Sequence, residues 1–442
     1  ALAGDVPCRA AAVSRPATTE QIAAIATVCC RARIPLTVTG GRSGVSGASV
    51  PAYGGVVVDL TGLAGLLAVD ESSGVAEVAA GTFGPDLEAA LGEHRLSVGH
   101  FPQSFDLATV GGWLACRGAG QYSTRYGKVE DMVVGLEVVL ADGRIVRTGG
   151  APAAAVGPDL TQLFVGSEGT LGIVTRAWLR THPAPPAERR AAYHLESFAA
   201  GIEACRRILR AGATPAVLRL YDEVESLGSG RGGDGTTCTL IVLDEGDRRI
   251  VDATMHVVAS ACNGAETAGE DVVADWFEHR NDTSALQALT RKGYVVDTME
   301  IAAPWSRLAT LFDVVRAALL DVPYATAASC HLSHSYSDGA CLYFTFLAQP
   351  PAADIESTYV ELWDAGQRAV LANGGNLSHH HGVGLNRARF MGAALGEAQH
   401  VLAAVKQALD PAGILNPGKL GLPSPFGPPP WPSSQFTPAR PS

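Results

Sequence analysis

Four glycine-rich segments within the first 175 residues constrain this chain more than any other feature of its sequence. The first, Thr39-Gly40-Gly41-Arg42-Ser43-Gly44-Val45-Ser46-Gly47, directly follows a strand-like stretch at 35–39. The second runs Gly99-His100-Phe101-Pro102-Gln103-Ser104 and continues into Thr109-Val110-Gly111-Gly112-Trp113. The third is Arg117-Gly118-Ala119-Gly120, with Tyr126-Gly127 just beyond it. The fourth is Gly166-Ser167-Glu168-Gly169-Thr170-Leu171-Gly172-Ile173-Val174. Glycine adopts positive φ without strain and lets backbone N–H groups approach an anion closely, so such a loop can cradle phosphate oxygens. Each segment alone is equally readable as a tight turn. Four of them, in this order, are not.

Between these loops the chain alternates short Val/Ile/Leu-rich strands with helical runs. Helical spacing at 18–32 opens on Thr18 with Gln21 three residues on, a capping-box pattern. Strands are expected at 35–39, 55–60, 75–79 and 133–140, the last running into the turn Ala141-Asp142-Gly143. No GxGxxG opens a helix after a strand, which argues against a nicotinamide-type Rossmann unit. A Pro-rich hinge at 182–188 marks a domain boundary. Beyond it, helices at 197–211, 305–320, 354–373 and 394–409 and strands at 240–244 and 340–347 give an α+β pattern. After Leu422 the composition collapses to a Pro/Ser tail, expected to be extended or disordered. Its Phe426, Trp431 and Phe436 leave a transient contact with a membrane surface open.

With 47% hydrophobic and 17% charged residues the chain can bury a large core. The net charge of −11 and the lack of a basic run disfavour a nucleic-acid partner, which would need clustered Lys/Arg. Nine cysteines without CxxC pairs read as buried thiols in a reducing compartment. Residues 1–12 lack the basic start and apolar run of a signal peptide, and a cytoplasmic location is expected.

Two C-terminal segments carry the chemistry. In Ser378-His379-His380-His381-Gly382-Val383-Gly384 the three imidazoles cannot all face one site if the segment is extended, because side chains alternate. His379 with His381, or His380 with a neighbouring element, can converge, and a histidine exchanges protons near neutral pH. His334 and Asp338 would be further ligands if these histidines held a metal. Upstream, Asp338-Gly339 reads as a turn and the following strand projects Tyr343 to one face, as a core tyrosine or as an acid/base residue.

Taken together, the glycine loops, Leu218-Arg219-Leu220-Tyr221-Asp222, Gly339-Ala340-Cys341-Leu342-Tyr343-Phe344, Asn373-Gly374-Gly375 and the histidine run resemble the FAD-linked oxidase family of the vanillyl-alcohol-oxidase type. The motifs are most similar to its alkyl-dihydroxyacetonephosphate synthase branch. The family's hydroxy-acid dehydrogenases carry H-x-G-D-G-N-x-H and E-H-G-x-G metal-ligand motifs. Here Ser335, Leu342 and His380 stand at those ligand positions, so no metal is expected.

The resemblance implies an FAD-binding PCMH-type fold of two subdomains, class α+β. Its FAD domain would span 1–184, completed by 376–420. A mixed α+β cap (substrate) domain would span 185–375, followed by the Pro-rich tail at 421–442. FAD would lie on Gly40, Gly41, Arg42, Ser43, Gly44, Pro102, Ser104, Thr109, Gly111, Gly112, Arg117, Gly120, Glu168, Gly169 and Ile173. It would be held non-covalently, because Arg42 and Ser43 stand where a flavin-linking histidine would.

The branch implies exchange of an acyl group for an alkoxy group through a covalent flavin adduct. Tyr343 would be the acid/base residue and His380 would tune or assist it, while His379 and His381 would polarise the substrate or position neighbouring groups and Arg219 would orient Tyr343 or the active site. Nearby cations would lower the pKa of Tyr343. Arg280, Arg387 and Arg389 are candidates for a substrate phosphate, since two lysines of the branch pattern are missing after His381-Gly382-Val383-Gly384. The substrate would be a small molecule of lipid-like character, and a homodimer is implied by the resemblance alone. Two other readings stand: an FAD oxidase or dehydrogenase of an alcohol or D-2-hydroxy acid, and an FAD-loaded binding protein without turnover.

Overall fold

The computed structural model describes residues 8–228, 234–282, 284–429 and 431–432. The chain divides into two compact units. One comprises residues 1–119, 128–183 and 380–442; the other comprises 120–127 and 184–379.

In the first unit a three-stranded parallel sheet places Val56–Asp59 between Ala12–Ser14 and Leu36–Thr39. The helix Thr19–Ala32 connects the two outer strands; Thr18 caps it, and the Gln21 side chain reaches back to the Ala17 N–H. A five-stranded antiparallel sheet has the order Leu66–Asp70, Val75–Ala79, Ile173–Arg180, Val133–Val139, Ile145–Gly149. The returning C-terminal segment is built into this unit: Leu36 N–H donates to Ile414 O, and Asn416 N–H to Leu36 O.

The second unit is built on a seven-stranded antiparallel sheet. Its order is Glu266–Ala268, Ala187–Leu195, Cys238–Gly246, Val217–Tyr221, Ala325–Ser335, Gly339–Ala348, Val295–Pro304. Strand alternation sorts its side chains. Leu218, Leu220, Cys330, Leu332, Leu342, Phe344, Met299 and Ile301 join one buried core with residues of the helices Phe198–Arg210, Trp305–Leu320 and Ile355–Ala372. Arg219, His331, Tyr343, Thr298 and Glu300 alternate with them and so take the opposite face.

Several expectations need correction. The helix expected at 394–409 is two, Met391–Leu395 and Ala398–Leu409, broken at Gly396, whose φ of +52 a helix cannot continue through. Residues 120–127 belong with the cap sheet and not with the FAD domain, because Arg125 pairs with the buried Asp244 and the Tyr126 hydroxyl donates to Glu245 Oε1 at 2.7 Å. The tail does not lose structure at Leu422: Tyr53 donates to Gly427 O at 2.8 Å, and its ring centroid lies 5.9 Å from that of Phe426. Phe436 lies outside the described residues. Among the described residues no helix is long and apolar enough to cross a membrane.

Asp244 is fully buried and Arg125 is its ion-pair partner. Removing that partner leaves a carboxylate without its countercharge, which costs about 3–5 kcal/mol. Arg125→Ala is therefore expected to destabilise the cap unit by that amount in urea unfolding followed by cap tryptophan fluorescence, with Arg125→Lys losing less.

Candidate active site and cofactor cradle

On the face of the cap sheet opposite its core, register sets four side chains in a row. Tyr221 pairs with His331, His331 with Tyr343, and Tyr343 with Glu300 across adjacent strands. The Tyr343 ring stacks on His331 with centroids 4.7 Å apart and planes 14° from parallel. Its hydroxyl donates to Thr298 Oγ1 at 3.1 Å. Arg219 Nη2 lies 2.7 Å from His331 Nε2, and Glu225 Oε2 lies 3.0 Å from His331 Nδ1. Because a guanidinium only donates, this network assigns the imidazole proton to Nδ1, facing Glu225, and leaves Nε2 as acceptor.

Two expectations change here. Arg219 orients His331 directly and touches Tyr343 only through it. The pKa of Tyr343 is not lowered: burial pushes it up, and the opposing effect of Arg219 is smaller.

A second cluster forms where the sheet is irregular. The register between Ala325–Ser335 and Gly339–Ala348 shifts at Ser333/Ser335, and His334 takes a φ of +52 there. Such a bulge re-aims a side chain. His334 Nδ1 lies 2.7 Å from Ser123 Oγ, and its ring stacks on His379 with centroids 5.1 Å apart. The Tyr336 hydroxyl lies 2.8 Å from His379 Nε2. The segment that brings in His379 is pinned to the strand Val295–Pro304 by reciprocal bonds between Asn376 and Ala302. Glu300, itself fully buried, accepts from the Ser378 hydroxyl at 2.6 Å.

Of the three adjacent histidines, His379 ends the cap unit, while His380 and His381 begin the last segment of the other, with their rings edge to face at 4.6 Å. Asp338 is exposed in its turn.

Sequence reasoning passed over His331, Tyr336, Thr298, Glu300, Glu225 and Ser123. His331 and Tyr336 were legible in principle, since alternation from Tyr343 across a hairpin of known register selects them. Glu225 carries no such signal: it reaches His331 because Asp222 holds it. Asp222 Oδ1 accepts from Glu225 N at 2.8 Å and Oδ2 from Cys330 N at 2.7 Å.

In the first unit, the glycine loops form a cradle by close backbone packing. A Cβ on Gly41 would stand 1.7 Å from Leu107 O, and one on Gly40 would stand 2.2 Å from Thr109 Oγ1. Thr109 in turn caps the helix Val110–Cys116 by accepting from Gly112 N. A Cβ on Gly44 would meet nothing within 4 Å, and Arg42, Gly44 and Val45 are exposed, so the loop presents approachable backbone. These are the features a pyrophosphate requires, and they fit FAD. Gly169, with a φ of +73, and the buried Ile173 flank the loop at its Val38 side.

Three of the residues expected to hold the cofactor have the following surroundings. Arg117 Nη2 donates to Gln162 Oε1 at 2.9 Å. Gly120 belongs to the cap unit. Glu168 turns its carboxylate onto the backbone N–H groups of Val383 and Gly384.

The three arginines suggested for a phosphate are divided between the two units. Arg280 is in the cap unit, where it donates to Phe277 O and lies over the Phe277 ring. In the other unit, Arg387 is fully buried and Arg389 donates to Asn386 O.

The model for the FAD binding domain matches residues 10–149, and that for FAD linked oxidases, C-terminal domain, matches residues 184–420. The chain belongs to the FAD-linked oxidase family. It is an FAD-dependent enzyme with a PCMH-type α+β fold. The uncharacterized FAD-linked oxidoreductase YgcU of Escherichia coli (strain K12) is 30% identical over 93% of this chain and 88% of its own length. The alkyldihydroxyacetonephosphate synthase of Trypanosoma brucei brucei is 29% identical over 87% of this chain and 66% of its own length. A solved alkyldihydroxyacetonephosphate synthase structure superposes with a TM-score of 0.75 at 26% identity, covering 92% of this chain and 77% of that one.

Two measurements check these assignments. Gly41→Ala must displace backbone, and overpacking of 1–3 kcal/mol lowers FAD affinity about ten-fold or more; the ratio of flavin to protein absorbance after gel filtration reads this directly. Burial raises the Asp222 carboxyl from 3.8 to about 7. A raised folded-state pKa stabilises fully below 3.8, and that contribution is lost as pH rises through about 7. Asp222→Asn is expected to remove this slope, at most about 1.4 kcal/mol per pH unit, from melting curves taken between pH 4 and 8.

Proposed function

We propose that this enzyme exchanges the acyl group of an acylated dihydroxyacetone-phosphate-type ketone for an alkoxy group, the chemistry that its resemblance to the alkyldihydroxyacetonephosphate synthase branch implies. The observation that carries the reading is Tyr343, a phenol on the face of the cap sheet opposite its core, whose pKa burial pushes up and whose hydroxyl donates to Thr298. A phenol that keeps its proton is a hydrogen-bond donor, suited to stabilising the oxygen of a carboxylate that leaves as the anion. The base that takes the C1 proton is then a histidine, and His379, whose Nε2 lies 2.8 Å from the Tyr336 hydroxyl, is the candidate on the cap.

FAD, held non-covalently on the glycine cradle, supplies the electron-accepting ring. Arg219 lies against His331 and leaves its own buried Nε–H without a protein acceptor, so a substrate phosphate or carbonyl oxygen is its natural partner. In this reading the cap contact to the substrate anion falls to Arg219, with Arg280 on the same unit, while Arg387 and Arg389 support the other unit.

A second reading, oxidation of a small alcohol or hydroxy acid, is favoured by the similarity to an FAD-linked oxidoreductase over 93% of the chain. A histidine base paired with tyrosine would serve that chemistry too.

The anaerobic visible spectrum separates the two. Acyl-dihydroxyacetone phosphate is expected to bleach the flavin, and a fatty alcohol is expected to restore it without any oxidant. Tyr343→Phe should slow the bleaching by about 10²–10⁴-fold. Bleaching by a D-2-hydroxy acid, reversed only by oxygen or a dye, would instead establish the redox reading.

A further inference from the structure

The segment that carries His380 and His381 and the first glycine loop lie in one unit and meet at one turn, which a buried carboxylate holds from the side away from the loop's Ser46. Glu168 is 5% exposed. Its Oε1 accepts from Val383 N at 2.5 Å and Gly384 N at 3.1 Å, and its Oε2 from Gly384 N at 2.9 Å. Gly382 and Gly384 adopt φ of +79 and +52. A Cβ on Gly382 would stand 2.4 Å from Glu168 Oε1, and one on Gly384 would stand 2.0 Å from Ser46 O. The turn after the histidines is therefore wedged between Glu168 and Ser46, and only glycine fits at both positions.

Ser46, within the first glycine loop, grips the same turn from its other side. Its hydroxyl lies 3.2 Å from the carbonyls of both His381 and Gly382, and its own carbonyl accepts from Leu385 N at 2.8 Å and Asn386 N at 3.2 Å. Glu168 itself sits at a φ of +50, held there by Asn416 Nδ2, which donates to its carbonyl at 2.6 Å. A non-glycine residue kept in this region signals a position over-determined by its surroundings.

We infer that Glu168 is a positioning residue. Its carboxylate fixes the turn that presents His380 and His381, and through Ser46 it makes that turn and the phosphate-binding loop one body. FAD occupancy and the presentation of the two imidazoles therefore rise and fall together. Charge supports this assignment over a cofactor contact, since a carboxylate facing the pyrophosphate would repel it. The inference rests on the binding of FAD and not on which reaction the flavin serves, so it survives or fails independently of the synthase reading.

Hydrogen exchange by mass spectrometry on the full-length protein, with and without FAD, tests it. In the wild type, FAD is expected to slow exchange across residues 380–386. In Glu168→Gln that FAD-dependent slowing is expected to disappear and the FAD dissociation constant to rise about ten-fold, the size of effect that follows from losing one charge-assisted hydrogen bond. Glu137→Gln, which removes a buried carboxylate of the same unit bonded to Thr19 and Thr175, should lower the melting temperature yet keep the FAD effect at 380–386. Glu168→Gln with wild-type exchange and wild-type FAD affinity overturns the inference. Should that variant fail to fold, Ser46→Ala replaces it: an about three-fold loss of the FAD effect on exchange is expected from removing a neutral hydroxyl bond, and unchanged exchange overturns the inference.

Discussion

A carboxylate taken out of water must be matched by donors or it does not stay charged. Around Glu168 that requirement organises an entire unit. Burial pushes its carboxyl pKa up, while the N–H groups of Val383 and Gly384, and then Lys419 and Arg387, pull it back. Lys419 is itself fully buried, drawn down to about 8, and donates to Val50 O at 2.9 Å. Asn416 bridges Ala48 O and Glu168 O. Segments near residues 46–50, 168, 382–387 and 416–419 thus meet at one electrostatic knot. The chain leaves this unit at residue 183 and returns at 380, and the knot makes the return obligatory: without the C-terminal donors the Glu168 charge would be unmatched.

The cap solves a different problem. Its chemistry-bearing residues need one shared sheet face, and the register of four adjacent strands provides it. Shifting any of these strands by one residue would send Tyr343 or His331 into the core and bring a leucine or phenylalanine out. The ten-residue pairing of Val295–Pro304 with Gly339–Ala348 and the core of Leu342, Phe344 and Phe346 make such a slip costly. The irregularity at His334 is where an imidazole is aimed at Ser123 and His379 and where regular pleating would not have put it.

The division between what the sequence discloses and what it hides follows from this physics. Glycine loops are legible because φ and close approach demand glycine locally, as Gly41 against Leu107 O illustrates. Strand alternation is legible too, and it placed Tyr343 on a face. The acidic member of a glycine-rich motif is not. Glu168 lies among cradle residues in sequence, but its partners are more than 200 positions away, and nothing local distinguishes a phosphate-facing residue from one facing the opposite way. The same holds for Tyr343, whose pKa depends on how deeply the folded sheet buries it and not on how many cations flank it in sequence. Residues 423–429 were misread for a related reason: Pro-rich composition argues against a core of their own, yet Tyr53 offers them one already made.

An acidic enzyme that handles anionic ligands must separate its few usable cations from its many acids. Arg125, Arg147, Arg176 and Arg316 each lie against a carboxylate, so they neutralise buried acids and contribute little field to a ligand. The cofactor side avoids the shortage by using backbone N–H groups, which carry partial positive charge without attracting the protein's own carboxylates. On the cap face the contrast with Arg219 is sharp. Its guanidinium meets a neutral imidazole and the Tyr221 ring, 5.2 Å from the centroid, and not a carboxylate. Glu225 is near but is screened from it by His331, whose Nδ1 it holds at 3.0 Å. The imidazole between them thus keeps the acid from pairing directly with the arginine, whose positive charge is retained on that face of the sheet.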